Sequence, residues 1–128
     1  VWEKLICNVC FSGTCSLTER TIVEVMEDPD AWRCASGCAT EAYQVARARG
    51  IRLDFDDPVK YVHAFGSKIP HARPSMLLDH MAGRMSEIDA INGAIPIAAR
   101  AAGLAAPYNE VVSALVRAKE RRMGVRRS

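Results

Sequence analysis

Apolar residues recur at helical spacing along almost the whole chain, and the breaks between them carry helix punctuation. Residues 1–11 form a dense apolar stretch that predicts a first helix ending near Ser12-Gly13. Ile22, Val23, Val25 and Met26 predict a second helix after Thr18, stopping at Asp28-Pro29. A long third helix carries Trp32, Ala39, Ala42, Tyr43 and Ala46, with Gly50 where a left-handed cap closes a helix. Residues 51–55 alternate only briefly, with no partner strand, and read as an extended connector. Asp57-Pro58 is an N-cap acid followed by proline at the first helical position. The helix it starts carries Val59, Val62 and Phe65 and is expected to end at Gly66. A loop over 67–74 with two prolines precedes a short helix over 75–82. Ser86 is expected to cap a helix over 87–102 that Pro96 kinks and Gly103 closes. Pro107 opens the last helix, with Val111, Val112, Leu115 and Val116. No repeat and no low-complexity segment interrupts this series, so the expected class is all-α, in one compact multi-helix domain over residues 1–128.

Two polar features stand out against the pattern. On a helical wheel, Leu5, Ile6, Cys7, Val9, Cys10 and Phe11 cover most of the first helix, leaving Lys4, Asn8 and Ser12 as one narrow stripe. A helix apolar on nearly all sides is buried, so the stripe differs from an ordinary solvated face. Either Lys4 is partly buried and needs a partner or a lowered pKa, or it snorkels to the surface while Asn8 and Ser12 bond to neighbouring loops. The second feature is Glu87, a carboxylate in the expected first turn, where the helix dipole favours it. Asn92-Gly93 then breaks the run of Ile88, Ile91 and Ile95, although glycine there costs up to about 1 kcal/mol relative to alanine. Close packing at Gly93 and a bend at Pro96 account for those two residues. Helix chemistry alone does not select Glu87.

The composition narrows the function classes. A 128-residue chain, 49% hydrophobic and 25% charged, is long enough to bury a core and too balanced to be disordered. A formal charge of +2 gives no argument for nucleic acid. The basic residues Arg117, Lys119, Arg121, Arg122, Arg126 and Arg127 read as a helix C-terminus and a solvated tail. No apolar run approaches the roughly 20 residues a bilayer needs, and no secretory signal opens the chain, so no membrane partner is expected, and the expected compartment is cytoplasmic. The chain starts on Val1 inside an apolar pattern and reads as a cut from a longer polypeptide. Of five cysteines, Cys7, Cys10, Cys34 and Cys38 invite a structural zinc site. Both pairs sit in helical pattern without knuckle glycines or prolines, so they read instead as small hydrophobes, and no metal is expected.

Ser75-Met76-Leu77-Leu78-Asp79, then Gly83-Arg84, then Glu87-Ile88-Asp89-Ala90-Ile91-Asn92-Gly93, then Gly103 and Pro107-Tyr108-Asn109 stand in a characteristic order. Together with Trp2-Glu3-Lys4-Leu5 and Asn8, they make the chain resemble the C-terminal domain of ketopantoate reductases (2-dehydropantoate 2-reductases) across essentially its full length. The resemblance implies a helical fold like that of the 6-phosphogluconate dehydrogenase C-terminal domain. It also implies NADPH-dependent reduction of 2-dehydropantoate to (R)-pantoate, on the way to pantothenate and coenzyme A. By the same resemblance Lys4 donates the proton, and Asn8, Ser12, Ser75 and Glu87 bind substrate, with Glu87 also placed to touch cofactor. The implied partners are a small 2-oxo acid, an N-terminal Rossmann domain that holds most of the NADPH, and a second copy in a homodimer. The eight glycines here never approach the G-x-G-x-x-G spacing of that other domain. Two positions depart from the family pattern: Ser12 stands where an asparagine is usual, and an asparagine expected near Thr21-Ile22 is absent. These departures keep open a paralogue acting on a different 2-oxo acid, or a non-catalytic helical dimerisation module.

Overall fold

The computed structural model describes residues 1–127, which fold into seven α-helices and one 3-10 turn, without a strand among the described residues. The helices are α1 (Trp2–Thr18), α2 (Ile22–Glu27), α3 (Pro29–Ala48), α4 (Pro58–Lys68), α5 (Ser75–Met81), α6 (Ala94–Ala101) and α7 (Pro107–Met123). The 3-10 turn is Ile88–Ala90. The all-α expectation holds. Local chemistry starts most helices where the sequence places them: Asp28 Oδ1 accepts from the amides of Asp30 and Ala31, and Asp57 Oδ1 from that of Lys60.

Helix α1 is the axis of the fold, with α2, α3, α4, α5 and α7 all packed against it. Ile6, Val9 and Cys10 are fully buried, and Phe11 lies against Trp32 and Phe65. Ile6, Val9 and Phe11 each contribute about 1.5–3 kcal/mol by leaving water. The helix does not end near Ser12-Gly13 as expected. A Cβ at Gly13 would stand 2.3 Å from Val112 Cγ1, so this glycine marks the close approach of α7 rather than a stop. Gly66 lies against Met26 and Phe11 in the same way, and α4 runs past it to Lys68.

The expected helix over 87–102 is also corrected. Residues 88–90 form the 3-10 turn and α6 starts only at Ala94. Pro96 is the third residue of α6, where a missing N–H costs no intrahelical bond, so it causes no kink. Ser86 does not cap this segment, because its hydroxyl donates to Glu120 instead.

Cys7, Cys10, Cys15 and Cys38 are buried among apolar residues. Burial pushes the Cys7 thiol up to about 11 and the Cys15 thiol to about 12, so they pack as neutral groups. Half-buried Cys34 differs. A hydrogen bond from Cys38, helped by Thr14 Oγ1 at 3.6 Å, brings it down to about 6 against the opposing effect of burial. Among the described residues, no group of three or more His, Cys, Asp or Glu is placed to hold a metal ion.

Candidate functional site

The first-turn amides of α2 have no partner inside their own helix. The Val23 and Ile22 N–H groups donate to the carbonyls of Pro70 and Ala72, at 2.8 and 3.1 Å. These two bonds hang the proline-rich loop beside α1. Arg73 and Pro74 thereby meet Asn8 and Ser12 around a cavity of about 170 Å³, which Phe65 and Ile69 also line. Ser75 follows immediately as the exposed first residue of α5, a helix anchored by the buried Met76 and Leu77.

The α1 stripe is graded. Lys4 is exposed, Asn8 half-buried, and Ser12 buried, so the stripe runs from solvent into the protein. Of the two sequence readings, the surface lysine is the one found. Asn8 and Ser12 share the cavity, Ser75 adjoins it through Pro74, and Lys4 lies one turn away on the same side of α1. Glu87 is exposed on a separate loop and does not line that cavity. A larger groove of about 670 Å³, between the start of α1, the end of α3 and α6, is mostly apolar and contains none of these five residues.

Two buried polar nodes hold this arrangement. In the first, Asn92 Nδ2 donates to the Val9 carbonyl and to Asn109 Oδ1, both at 2.9 Å. Asn109 Nδ2 donates in turn to Glu41 Oε1 and the Cys38 carbonyl. The Glu41 carboxylate also accepts the backbone amides of Tyr108 and Asn109, each at 2.9 Å, placing a negative charge at the N-terminus of α7. Asn92 and Asn109 thus tie α1, α3 and α7 together between the turns that carry Asn8 and Ser12.

In the second node, fully buried Glu120 accepts from Ser86 N (2.8 Å), Ser86 Oγ (2.6 Å) and His80 Nε2 (2.7 Å), and pairs with Arg126 Nε at 2.8 Å. Burial alone would raise this carboxyl. The bonds from His80, Ser86 and Arg126 outweigh it and hold the group down at about 2. His80 Nδ1 meets the Ser16 hydroxyl on its other side. The expected solvated basic tail is therefore corrected. Arg126 is enclosed between Glu120 and Asp89, Arg117 pairs with Asp89 at 2.8 Å, and Lys119 Nζ donates to the Ser16 carbonyl. Arg121, Arg122 and Arg127 are exposed as expected.

Arg73, Glu41, His80 and Glu120 escaped the sequence reading. For Arg73 a signal was available: a cation beside Pro74, directly before the Ser75-Met76 motif. Glu41 and Glu120 gave none: the partners of Glu41 lie at least 67 residues away, and Ser86 and His80, which meet Glu120 together with the nearby Arg126, lie 34 and 40 residues away.

A family model described as "Ketopantoate reductase PanE/ApbA C terminal" matches residues 1–120. The chain belongs to the ketopantoate reductase family. A 2-dehydropantoate 2-reductase of Streptococcus pyogenes serotype M3 is 32% identical over 121 residues, covering 94% of this chain and 39% of that protein. The Caulobacter vibrioides 2-dehydropantoate 2-reductase is 32% identical over 117 residues, covering 91% of this chain and 40% of its own length. The chain therefore spans about 40% of the curated relatives it matches. The crystal structure of a PanE/ApbA family ketopantoate reductase from Ralstonia eutropha superimposes with a TM-score of 0.88 at 29% identity, over 97% of this chain and 41% of that one. A D-mandelate dehydrogenase in a ternary structure with NADH and anilino(oxo)acetate gives 0.87 at 28% identity, over 98% of this chain and 70% of that one. The C-terminal domain of the ketopantoate reductase family is the fold described above.

Proposed function

We propose that this chain is the substrate-binding and proton-donating domain of a cytoplasmic, NADPH-dependent 2-oxo acid reductase, with 2-dehydropantoate as its substrate. The observation that carries the reading is the graded stripe Lys4–Asn8–Ser12 beside the Arg73–Ser75 segment, in a chain whose relatives are named 2-dehydropantoate 2-reductase. Reducing the ketone takes a hydride at carbon and a proton at oxygen. The chain offers no cradle for the dinucleotide that brings the hydride, since the described residues contain no strand and no Gly-rich strand–helix turn. A preceding Rossmann domain of the same polypeptide would hold it. What this chain supplies is the proton and the orientation. The exposed Lys4 ammonium gives its proton to the oxygen as negative charge develops there, and solvent restores it. Asn8, Ser12 and Ser75 hydrogen-bond the acid, and Glu87, from its separate loop, accepts from the substrate hydroxyl. Arg73 adds a cation on the cavity wall that suits the substrate carboxylate. Exposed Ile97, Val111 and Leu115 offer apolar surface for that preceding domain or a second copy.

A second substrate reading has its own support. Ser12 is shorter than the asparagine usual in the family, and a neighbour of TM-score 0.87 is a D-mandelate dehydrogenase in complex with anilino(oxo)acetate. A bulkier 2-oxo acid is the alternative substrate. Assaying NADPH oxidation by the full polypeptide with 2-dehydropantoate and with aryl and branched 2-oxo acids decides between them, and no turnover with any 2-oxo acid refutes the reductase reading. The isolated 128-residue chain is expected to show no saturable NADPH binding by fluorescence titration.

A further inference from the structure

The second buried node sits next to the one candidate residue that the α1 cavity leaves out. Glu87 lies between Ser86, buried at 5% exposure, and Ile88, buried at 0%. Glu120 holds both the amide and the hydroxyl of Ser86 on a single carboxylate oxygen, Oε2. On the far side, Asp89 is held by Arg117 Nε at 2.8 Å and Arg126 Nη2 at 3.0 Å. Arg126 bridges the two anchors, because its Nε reaches Glu120 Oε1. Glu87 is thus the free side chain of a short segment fixed at both ends from α7 and the residues after it.

Stability alone does not call for such a node. A buried ionised carboxylate is costly to desolvate, and well-packed apolar residues are often as stable in its place. What a fully satisfied polar network adds is a single backbone position. The serine–histidine–glutamate order of Ser16, His80 and Glu120 is also that of a nucleophile, base and acid. Ser16, however, is 0% exposed, and no substrate reaches it.

We propose that Glu120 is a positioning residue for Glu87: through Ser86, with Arg126 closing the other side, it sets the direction from which the Glu87 carboxylate meets the bound 2-oxo acid. This rests on the reading of Glu87 as a substrate ligand. The node keeps a loop residue within the narrow geometric tolerance that a substrate hydrogen bond demands.

The experiment uses the full polypeptide and compares E87A, E120Q, S86A, S86T and the double variant E87A/E120Q. The readouts are kcat, KM for the 2-oxo acid, KM for NADPH, and amide hydrogen exchange over residues 84–90. E120Q is expected to raise the 2-oxo acid KM on the order of tenfold, leave the NADPH KM unchanged, and speed exchange at Ser86 and Glu87. S86A removes one bond without removing the charge and is expected to move both readouts the same way by less, with S86T restoring them. In the double variant KM is expected to equal that of E87A, since displacing an absent carboxylate costs nothing. A fall in active fraction alone, with KM unchanged in E120Q and S86A, overturns the proposal, as does an additive double variant. If E87A itself leaves KM unchanged, the substrate reading of Glu87 fails and the proposal falls with it. If E87A raises KM and E120Q does not, that reading stands and only the positioning role falls.

Discussion

The polar residues of this domain fall into two regions that treat their hydrogen-bonding capacity in opposite ways. Along the outer edge of α1 and the Arg73–Ser75 segment, Lys4, Arg73 and Ser75 face solvent. In the interior, Glu41, Asn109, His80 and Glu120 spend their capacity on the protein itself. Both regions draw on motif residues that look equally functional in the sequence. A polar group satisfied from within builds the frame, whereas one left open at a cavity is available to a ligand. By that criterion Asn109 and the amide N–H groups of Asn92 serve the frame, although the buried Asn92 Oδ1 has no partner among the described residues, and Asn8, Ser75 and Lys4 are the chemical candidates.

The contrast can be broken most directly at Glu120. Its carboxyl is held at about 2, against 4.5 for the unfolded chain, so the folded form binds the proton more weakly. The resulting stabilisation is fully present above about pH 4.5, declines as pH falls, and is gone below about 2. Its size is on the order of 3 kcal/mol. Urea unfolding from pH 6 to pH 2 should show wild-type stability falling by about that much more than E120Q. Parallel profiles would mean that the node does not titrate as a unit. Next in size is Lys4. In the full polypeptide, Lys4→Ala should lower kcat about a hundredfold with no change in thermal midpoint, and equal turnover would remove Lys4 from the chemistry. Asn92→Ala should do the reverse, costing about 2 kcal/mol in denaturant while kcat per folded molecule stays within a few-fold. A loss of kcat without a loss of stability would move Asn92 to the chemical side. The smallest effect is expected at Arg73, where alanine should raise the 2-oxo acid KM roughly tenfold and leave kcat nearly unchanged.

Legibility in the sequence followed the range of the interactions. Asp57 and Pro107 act within one helical turn, and the starts of α4 and α7 are readable from them, whereas Asp28-Pro29, which reads as the stop of α2, also caps the start of α3. Gly13 looked like a stop because glycine is a poor helix former, but the reason for it is Val112, almost a hundred residues further on. Ser86 looked like a cap because capping is what serine does locally, yet its hydroxyl serves Glu120 across the fold. The stripe on α1 could be read from periodicity. Its gradient from solvent to interior depends on where the Arg73 loop and α5 come to rest, and no short-range rule contains that.

Arg126 lies only three residues beyond the end of α7, and it supplies the cation for Glu120 together with half of the grip on Asp89. Proteolytic clipping after Gly124 would leave a buried anion facing nothing but neutral donors and His80. The tail of this domain is thus a fastener, and trimming it to obtain a tidier crystallisation target would loosen a loop more than thirty positions upstream.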